Sequence, residues 1–274
     1  CLFRHTGDAY PSVFTGTTPY GPAPFGLDAT PEAAACGTLV GDGSLYGPGL
    51  LPDGPSTTTY TPVSQSTVSG GATATDPYSV TTVVDVGSRG LRLTETDTYV
   101  VGEESIDTAI SVSNTGSASA TPTIYRAMDC YLSDWDSGYG AYVGGGPACR
   151  DTKAPGDSRG SRLLELSTPT PNSSFIEGKY DTVWNDVSSG QALTDATDCT
   201  DNDNAEAQGW TPTIGAGAAT SLDSVITYGA GAPSAADFHT GGTPPPGINK
   251  PNMHDQGGPT SPSEKPTSVS GSRR

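Results

Sequence analysis

The 274-residue sequence has few apolar and few basic side chains. Hydrophobic residues make up 33% of the chain and aromatic residues 7%, and no run of 18 apolar residues occurs. The lack of such a run argues against a transmembrane helix. Only 13 Lys and Arg residues stand against 30 Asp and Glu residues, so the formal net charge is -17. Because a negative field repels nucleic acid and anionic lipid, we expect neither as a partner.

The usual metal-binding cysteine patterns are also missing. None of the five cysteines lies in a C-x-x-C pair, and the three histidines are scattered, which disfavours a zinc site. Isolated cysteines in an acidic, Thr- and Ser-rich chain indicate an oxidising compartment. We predict a Cys130–Cys149 disulfide, which would contribute about 3 kcal/mol on the chain-entropy estimate. The alternative is Cys149–Cys199. Cys1–Cys36 is a further candidate pair, and one of the five cysteines remains over in any case.

Glycine and proline are abundant at the two ends of the chain and scarcer in its middle. Their distribution predicts three parts. Residues 1–56 form an extended N-terminal segment packed on the domain that follows, and residues 57–229 form a β-sandwich domain. Residues 230–274 are too poor in apolar side chains to offset chain entropy, so they form a disordered Pro/Gly/Ser-rich linker or tail.

The middle of the chain consists of β-branched runs separated by turn signals. Residues 105–113 show the period of two of a half-buried strand, with Ile106, Ile110 and Val112 on one face. An Asn-Thr-Gly turn is predicted at 114–116, since Asn and Gly tolerate positive φ. Strands at intervals of about ten residues predict an all-β, antiparallel β-sandwich, either immunoglobulin-like or a larger supersandwich. The other predicted elements are strands at 57–64, 78–86, 91–101, 121–130, 161–167 and 220–228, and a short helix at 178–187.

A first cluster of aspartates, in a Gly-rich turn, is a candidate calcium site. Asp129, Asp134 and Asp136 offer several oxygen ligands at short range, as hard cations require. Asp134-x-Asp136-x-Gly138 matches the first half of an EF-hand loop, but position 145, which should carry the closing acid, is Gly. The alternative is a solvated turn in which the aspartates cap backbone amides.

A second and weaker candidate calcium site surrounds Cys199. Asp198, Asp201 and Asp203 lie within six residues of one another, in either a cation site or a polar loop held by a disulfide. A disulfide from Cys199 to either of the two preceding cysteines would bring the two acidic clusters together.

Three aromatic residues near the first acidic cluster are candidates for sugar binding. Trp135, Tyr139 and Tyr142 lie in or beside the Gly-rich loop. Amphipathic rings next to Asp side chains can stack on a sugar ring. The alternative is that these rings pack against the loop and the core.

The patterns that would indicate catalysis are in the wrong context. The G-x-S-x-G motif at 156–160 follows a polar loop and precedes a predicted strand, whereas a nucleophile elbow needs a strand before it and a helix after it. Glu95, Glu165 and Glu177 are available for glycoside hydrolysis, but no spacing pairs them, so we expect surface charges. Lys153 and Lys179, the lysines before the tail, allow an isopeptide crosslink without indicating a partner.

Two stretches carry a resemblance to known proteins. Residues 107–123 resemble the immunoglobulin-like modules of bacterial surface and secreted proteins, in which an apolar-alternating strand ends at an Asn-Thr/Ser-Gly turn. Residues 76–210 resemble uncharacterised secreted proteins of high-GC bacteria through the run 124–132 (IYRAMDCYL) and the D-x-D-x-GYG motif after it. The resemblance implies an extracellular or cell-surface location and a sandwich fold.

These observations favour a non-catalytic secreted or cell-surface sandwich with a structural or adhesive role. The alternative is a carbohydrate-binding module of a polysaccharide-processing system. The expected partner is an extracellular or cell-surface polysaccharide or protein, and calcium is the one cofactor that the sequence indicates.

Overall fold

The computed structural model describes residues 2–4, 12–14, 36–47, 57–130, 132, 137–143, 145–151 and 162–230. Nearly all of its regular structure is β. The strands are β1 (Leu2–Arg4), β2 (Ser12–Phe14), β3 (Cys36–Gly41), β4 (Leu45–Gly47), β5 (Thr58–Thr59), β6 (Thr61–Gln65), β7 (Tyr78–Val86), β8 (Leu91–Tyr99), β9 (Ser105–Asn114), β10 (Thr123–Asp129), β11 (Tyr139–Val143), β12 (Gly146–Arg150), β13 (Arg162–Ser167), β14 (Ser174–Lys179), β15 (Asn204–Trp210) and β16 (Ala219–Ala230). The helix α1 spans Tyr180–Ser188.

Fourteen of these strands form the two sheets of a sandwich. The six-stranded sheet has the order β14-β15-β10-β3-β4-β5, and the eight-stranded sheet has the order β11-β12-β13-β16-β9-β8-β7-β6. All neighbours within these sheets are antiparallel except β4 and β5. An immunoglobulin domain has about seven to nine strands. The predicted antiparallel sandwich is therefore confirmed in its larger form.

The N-terminal part of the chain contributes strands to the sandwich itself. β3 pairs with β10 in the middle of the six-stranded sheet, and β4 pairs with β3. The domain boundary predicted at residue 57 therefore divides the six-stranded sheet, because β3 and β4 precede it and the other four strands follow it. Beyond Ala230, the predicted tail lies outside the described residues.

The apolar core has three parts, of which two lie between the sheets. One includes Val40, Ile124 and Trp210 of the six-stranded sheet, packed with valines and leucines of β7, β8 and β9. The other surrounds Met128 and Leu164. The third lies on the outer face of the six-stranded sheet, where α1 buries the residues that its i, i+3, i+4, i+7 pattern predicts. These are Val183, Trp184 and Val187.

The predicted turn after β9 forms without using the positive φ that Asn and Gly tolerate. Neither Asn114 nor Gly116 has a positive φ. Instead, the buried Asn114 side chain donates from Nδ2 to the carbonyls of Ala118 and Ile214 and accepts the Gly116 N–H. A Cβ on Gly116 would lie 2.5 Å from the Arg89 carbonyl oxygen, so glycine is required for close approach.

Among the described residues, no helix is long and apolar enough to span a membrane. This agrees with the lack of an 18-residue apolar run in the sequence.

Candidate functional site

A buried disulfide joins the two sheets. Cys130 directly follows β10 of the six-stranded sheet, and Cys149 lies in β12 of the eight-stranded sheet. Their sulfur atoms are bonded, with the two Cα atoms 6.4 Å apart, so the predicted Cys130–Cys149 pairing is the one present. Cys199 lies outside this bond. The Glu206 carboxylate is within 4.8 Å of both sulfurs, but sulfurs that are bonded to each other are not thiolate ligands.

The second predicted acidic cluster lies beside the strand that follows the first one, and backbone pairing holds it there. Residues 195–203, here called the acidic loop, run beside the start of β11. Gly138 and Asn202 pair through their backbones, and the Gly140 N–H donates to the Asp198 carbonyl at 2.9 Å. Asp129 ends β10 opposite Ala205. Asp134 and Asp136 lie outside the described residues.

The side chains of the acidic loop make contacts within the fold. Asp198 accepts hydrogen bonds from the backbone N–H and the hydroxyl of Thr200, at 2.9 and 2.7 Å, and from Asn202. Asp201 accepts the Tyr139 hydroxyl at 3.0 Å. The backbone carbonyl of Asp203 accepts the first N–H of α1. These contacts match a polar loop, but within the described part of the chain it is not held by a disulfide of Cys199, and cation binding by either cluster stays a prediction.

The candidate sugar-stacking residues have different environments. Tyr139 is buried, with its hydroxyl held by Asp201. Tyr142 is half-buried, and its ring centroid lies 4.7 Å from that of Phe175 on β14. Trp135 lies outside the described residues. Sugar stacking by these three residues stays a prediction.

The expectation that three glutamates are surface charges is wrong. Glu165 is 5% exposed and Glu177 is 2% exposed, while the Glu95 side chain is 19% exposed. Glu95 shares the inner face of β8 with Leu91 and Leu93, because residues two apart in a strand point to the same side. The sequence signal for the inward position of Glu95 was the alternation of buried residues that begins at Leu91.

Glu95 belongs to a group of polar side chains that connects the two sheets, here called the inter-sheet ion cluster. Arg126 of β10, only 1% exposed, projects between the sheets toward β8 and β9. Its guanidinium lies 3.4 Å from Glu95 and 3.9 Å from Asp97. It also donates to the hydroxyls of Thr38 and Thr108, at 3.1 and 3.3 Å.

The hydroxyls of this cluster are bonded to its carboxylates. Thr38 donates to Glu95, and Thr108 donates to Asp97 at 2.7 Å. Burial, followed by the charge of Glu95, raises the pKa of Asp97 to about 6, while Arg126 and the Thr108 hydrogen bond oppose the rise. Burial and then Glu95 also raise the pKa of Tyr60 well above its usual value.

Glu177 anchors the acidic loop from β14. Its Oε1 accepts a hydrogen bond from Asn204 Nδ2 and its Oε2 accepts the Asp198 N–H, both at 3.0 Å. Burial raises the pKa of Glu177 to about 8, against the lowering effect of these two hydrogen bonds. Gly140 leaves room for the carboxylate, because a Cβ there would lie 1.6 Å from Glu177 Oε2.

Comparisons with known proteins give similarities to solved structures. No protein-family model matches the chain, and no curated protein matches it. It is similar to heparan sulfate lyase HepC from Pedobacter heparinus, with a TM-score of 0.39 and 8% identity over 62% of this chain and 22% of that one. It is similar to a GH36 alpha-galactosidase from Geobacillus stearothermophilus, with a TM-score of 0.35 and 12% identity over 77% of this chain and 32% of that one. A putative aldose 1-epimerase from Escherichia coli is similar at a TM-score of 0.33 and 10% identity, over 80% of this chain and 89% of that one. The chain thus spans less than a third of the length of the first two proteins.

Proposed function

We propose that this chain is a non-catalytic secreted or cell-surface sandwich module with a structural or adhesive role. The observation that carries the proposal is the inter-sheet ion cluster. Arg126, Glu95 and Asp97 contact one another across the interior, so their charges hold the two sheets together. Glu177 has a comparable role, because both of its oxygens hold the acidic loop and β15.

The buried disulfide and the surface charge support an extracellular setting. A bond between Cys130 and Cys149 persists in oxidising compartments and is rare in reducing ones. The net charge of -17 favours solubility and is compatible with that setting.

The proposal is tested by measuring binding and turnover together. The purified chain is incubated with a panel of bacterial and plant polysaccharides, and pull-down and the release of reducing ends are both recorded. A structural or adhesive module of this kind releases no reducing ends from any of them. Release that disappears in a Glu95→Gln or Glu177→Gln variant would overturn the non-catalytic assignment.

The alternative is a carbohydrate-binding module, and the placement of Tyr142 favours it. Tyr142 is half-buried, it contacts the ring of Phe175, and the charge of Asp195 in the acidic loop acts on it. A rigid aromatic ring next to carboxylate acceptors is a common basis for sugar recognition.

The same polysaccharide panel separates the alternative from the first proposal. A carbohydrate-binding module is retained by at least one polysaccharide, and Trp135→Ala or Tyr142→Ala weakens that retention at least tenfold. Tyr78→Ala is the matched control, because Tyr78 is 42% exposed on β7, toward the end of the eight-stranded sheet opposite to β11. If no polysaccharide retains the folded chain, the alternative fails and the structural role stands.

A further inference from the structure

The end of β14 brings a lysine and an asparagine side by side. Lys179, the last residue of β14, lies directly opposite Asn204, the first residue of β15. The next pair is hydrogen-bonded, since the Tyr180 N–H donates to the Asp203 carbonyl at 2.9 Å. Lys179 and Asn204 are therefore a non-hydrogen-bonded pair, in which Cα atoms are about 4.5 Å apart and side chains approach most closely. A lysine stem easily spans that separation.

A carboxyl group already touches the amide of this asparagine. Asn204 is 2% exposed, and its Nδ2 lies 3.0 Å from Oε1 of Glu177. Glu177 is two residues before Lys179, so both side chains leave the same face of β14. With a pKa raised to about 8 by burial, Glu177 carries its proton at neutral pH. The buried amide nitrogen thus donates to Oε1 of a carboxyl group that is protonated at neutral pH, and it lies next to the lysine.

We propose that Lys179 and Asn204 form an intramolecular isopeptide bond, with Glu177 as the residue that transfers the proton. The half-exposed ammonium of Lys179 first loses a proton to water, and the resulting neutral amine then attacks Cγ of Asn204 to form a new C–N bond. The bond from Cγ to Nδ2 breaks, and Glu177 gives its proton to the departing nitrogen and accepts one from the lysine nitrogen. The products are a secondary amide and ammonia, so no oxidant, reductant or cofactor is needed.

The ion pair between Lys179 and Asp181 is weak. The ammonium of Lys179 contacts Asp181, and the two side chains are 54% and 37% exposed. Exposed pairs of this kind contribute little to stability, so this ion pair does not strongly oppose rotation of Lys179 toward Asn204. The bond would lock β14 to β15 where α1 begins, and it goes beyond the proposed function because it is independent of any ligand.

The test is the intact mass of the folded, full-length chain after reduction and denaturation. The expected mass is lower than that of the sequence by one ammonia, and peptide mapping links Lys179 to Asn204. Lys179→Arg retains the positive charge but should have the full mass, as should Glu177→Gln. Lys153→Arg is the matched control, and its mass should still be lower by one ammonia.

Three results would overturn the proposal. The first is a full mass for the folded wild type after prolonged incubation at neutral pH. The second is a loss of ammonia that persists in Lys179→Arg, which would indicate cyclisation of an asparagine instead. The third is an undiminished loss in Glu177→Gln, which would remove Glu177 from the reaction. Circular dichroism establishes that each variant is folded, and Lys179→Arg changes a half-exposed side chain only.

Discussion

Replacing Arg126 with Met tests whether the inter-sheet ion cluster holds the sandwich together. The change keeps most of the side-chain volume but removes the cation from between Glu95 and Asp97. Removing one partner of a fully buried ion pair costs about 3–5 kcal/mol, because a charge is left without compensation. The carboxylates here are 19% and 31% exposed, so we expect the lower end, about 3 kcal/mol. Urea unfolding followed by tryptophan fluorescence measures the loss.

The pH dependence of this loss separates an electrostatic effect from one of packing. Asp97, with a pKa raised to about 6, becomes neutral as the pH falls below that value. Less negative charge is then left uncompensated when Arg126 is removed. The destabilisation should therefore be smaller at pH 5 than at pH 8. Combining Arg126→Met with Glu95→Gln should restore part of the lost stability at pH 8.

The matched control is Arg92→Met. Arg92 lies 2.7 Å from Asp85, closer than Arg126 lies to Glu95, but the two side chains are 43% and 37% exposed. A solvent-exposed pair is worth about 0–1 kcal/mol, so this variant should remain close to the wild type. Equal losses for the two arginine variants, or an Arg126→Met loss that does not change with pH, would refute the reasoning.

Three other variants test the disulfide, Glu177 and Gly140. Changing Cys130 and Cys149 to Ser should cost about 3 kcal/mol in urea, and no loss would contradict a disulfide. Folded Glu177 keeps its proton up to about pH 8, while the unfolded chain releases it near pH 4.5. Wild-type stability should fall as the pH rises through this window, and Glu177→Gln should flatten the slope by about 1.4 kcal/mol per pH unit. An unchanged slope would exclude this titration. Gly140→Ala should cost at least about 2 kcal/mol, since its Cβ would clash with Glu177. Gly215→Ala should not, since its Cβ would lie 4.0 Å from that of Ala218, an ordinary contact.

The strands with strong periodicity could be predicted from the sequence. β7 begins and ends where its run of β-branched residues does, and β9 differs by one residue from the predicted 105–113. The short helix was also predictable, because Val183, Trp184 and Val187 repeat at helical spacing. These elements were predictable because one face of each is apolar and is buried against its neighbours.

The positions of the buried charges were harder to predict, because a polar residue in a strand gives no direct sign of its face. Glu95 and Asp97 continue the phase of Leu91 and Leu93, yet their charge favours an exposed position. The cation that makes their burial tolerable is Arg126, on another sheet and 31 residues away. Such a partnership depends on the packing of two sheets, which local periodicity does not encode.

The inter-sheet ion cluster also determines how the two sheets sit on each other. Arg126 lies in register with Thr38 and Gln208 on one sheet, opposite a row on the other sheet in which Thr108 is central. Apolar clusters lie on both sides of this polar layer. A slide of one sheet by two residues would place the guanidinium of Arg126 against isoleucine and separate it from both carboxylates. Burying an unpaired charge costs several kcal/mol, whereas sliding one apolar row over another costs much less. The polar layer therefore selects a single alignment that the apolar clusters alone would leave less sharply defined.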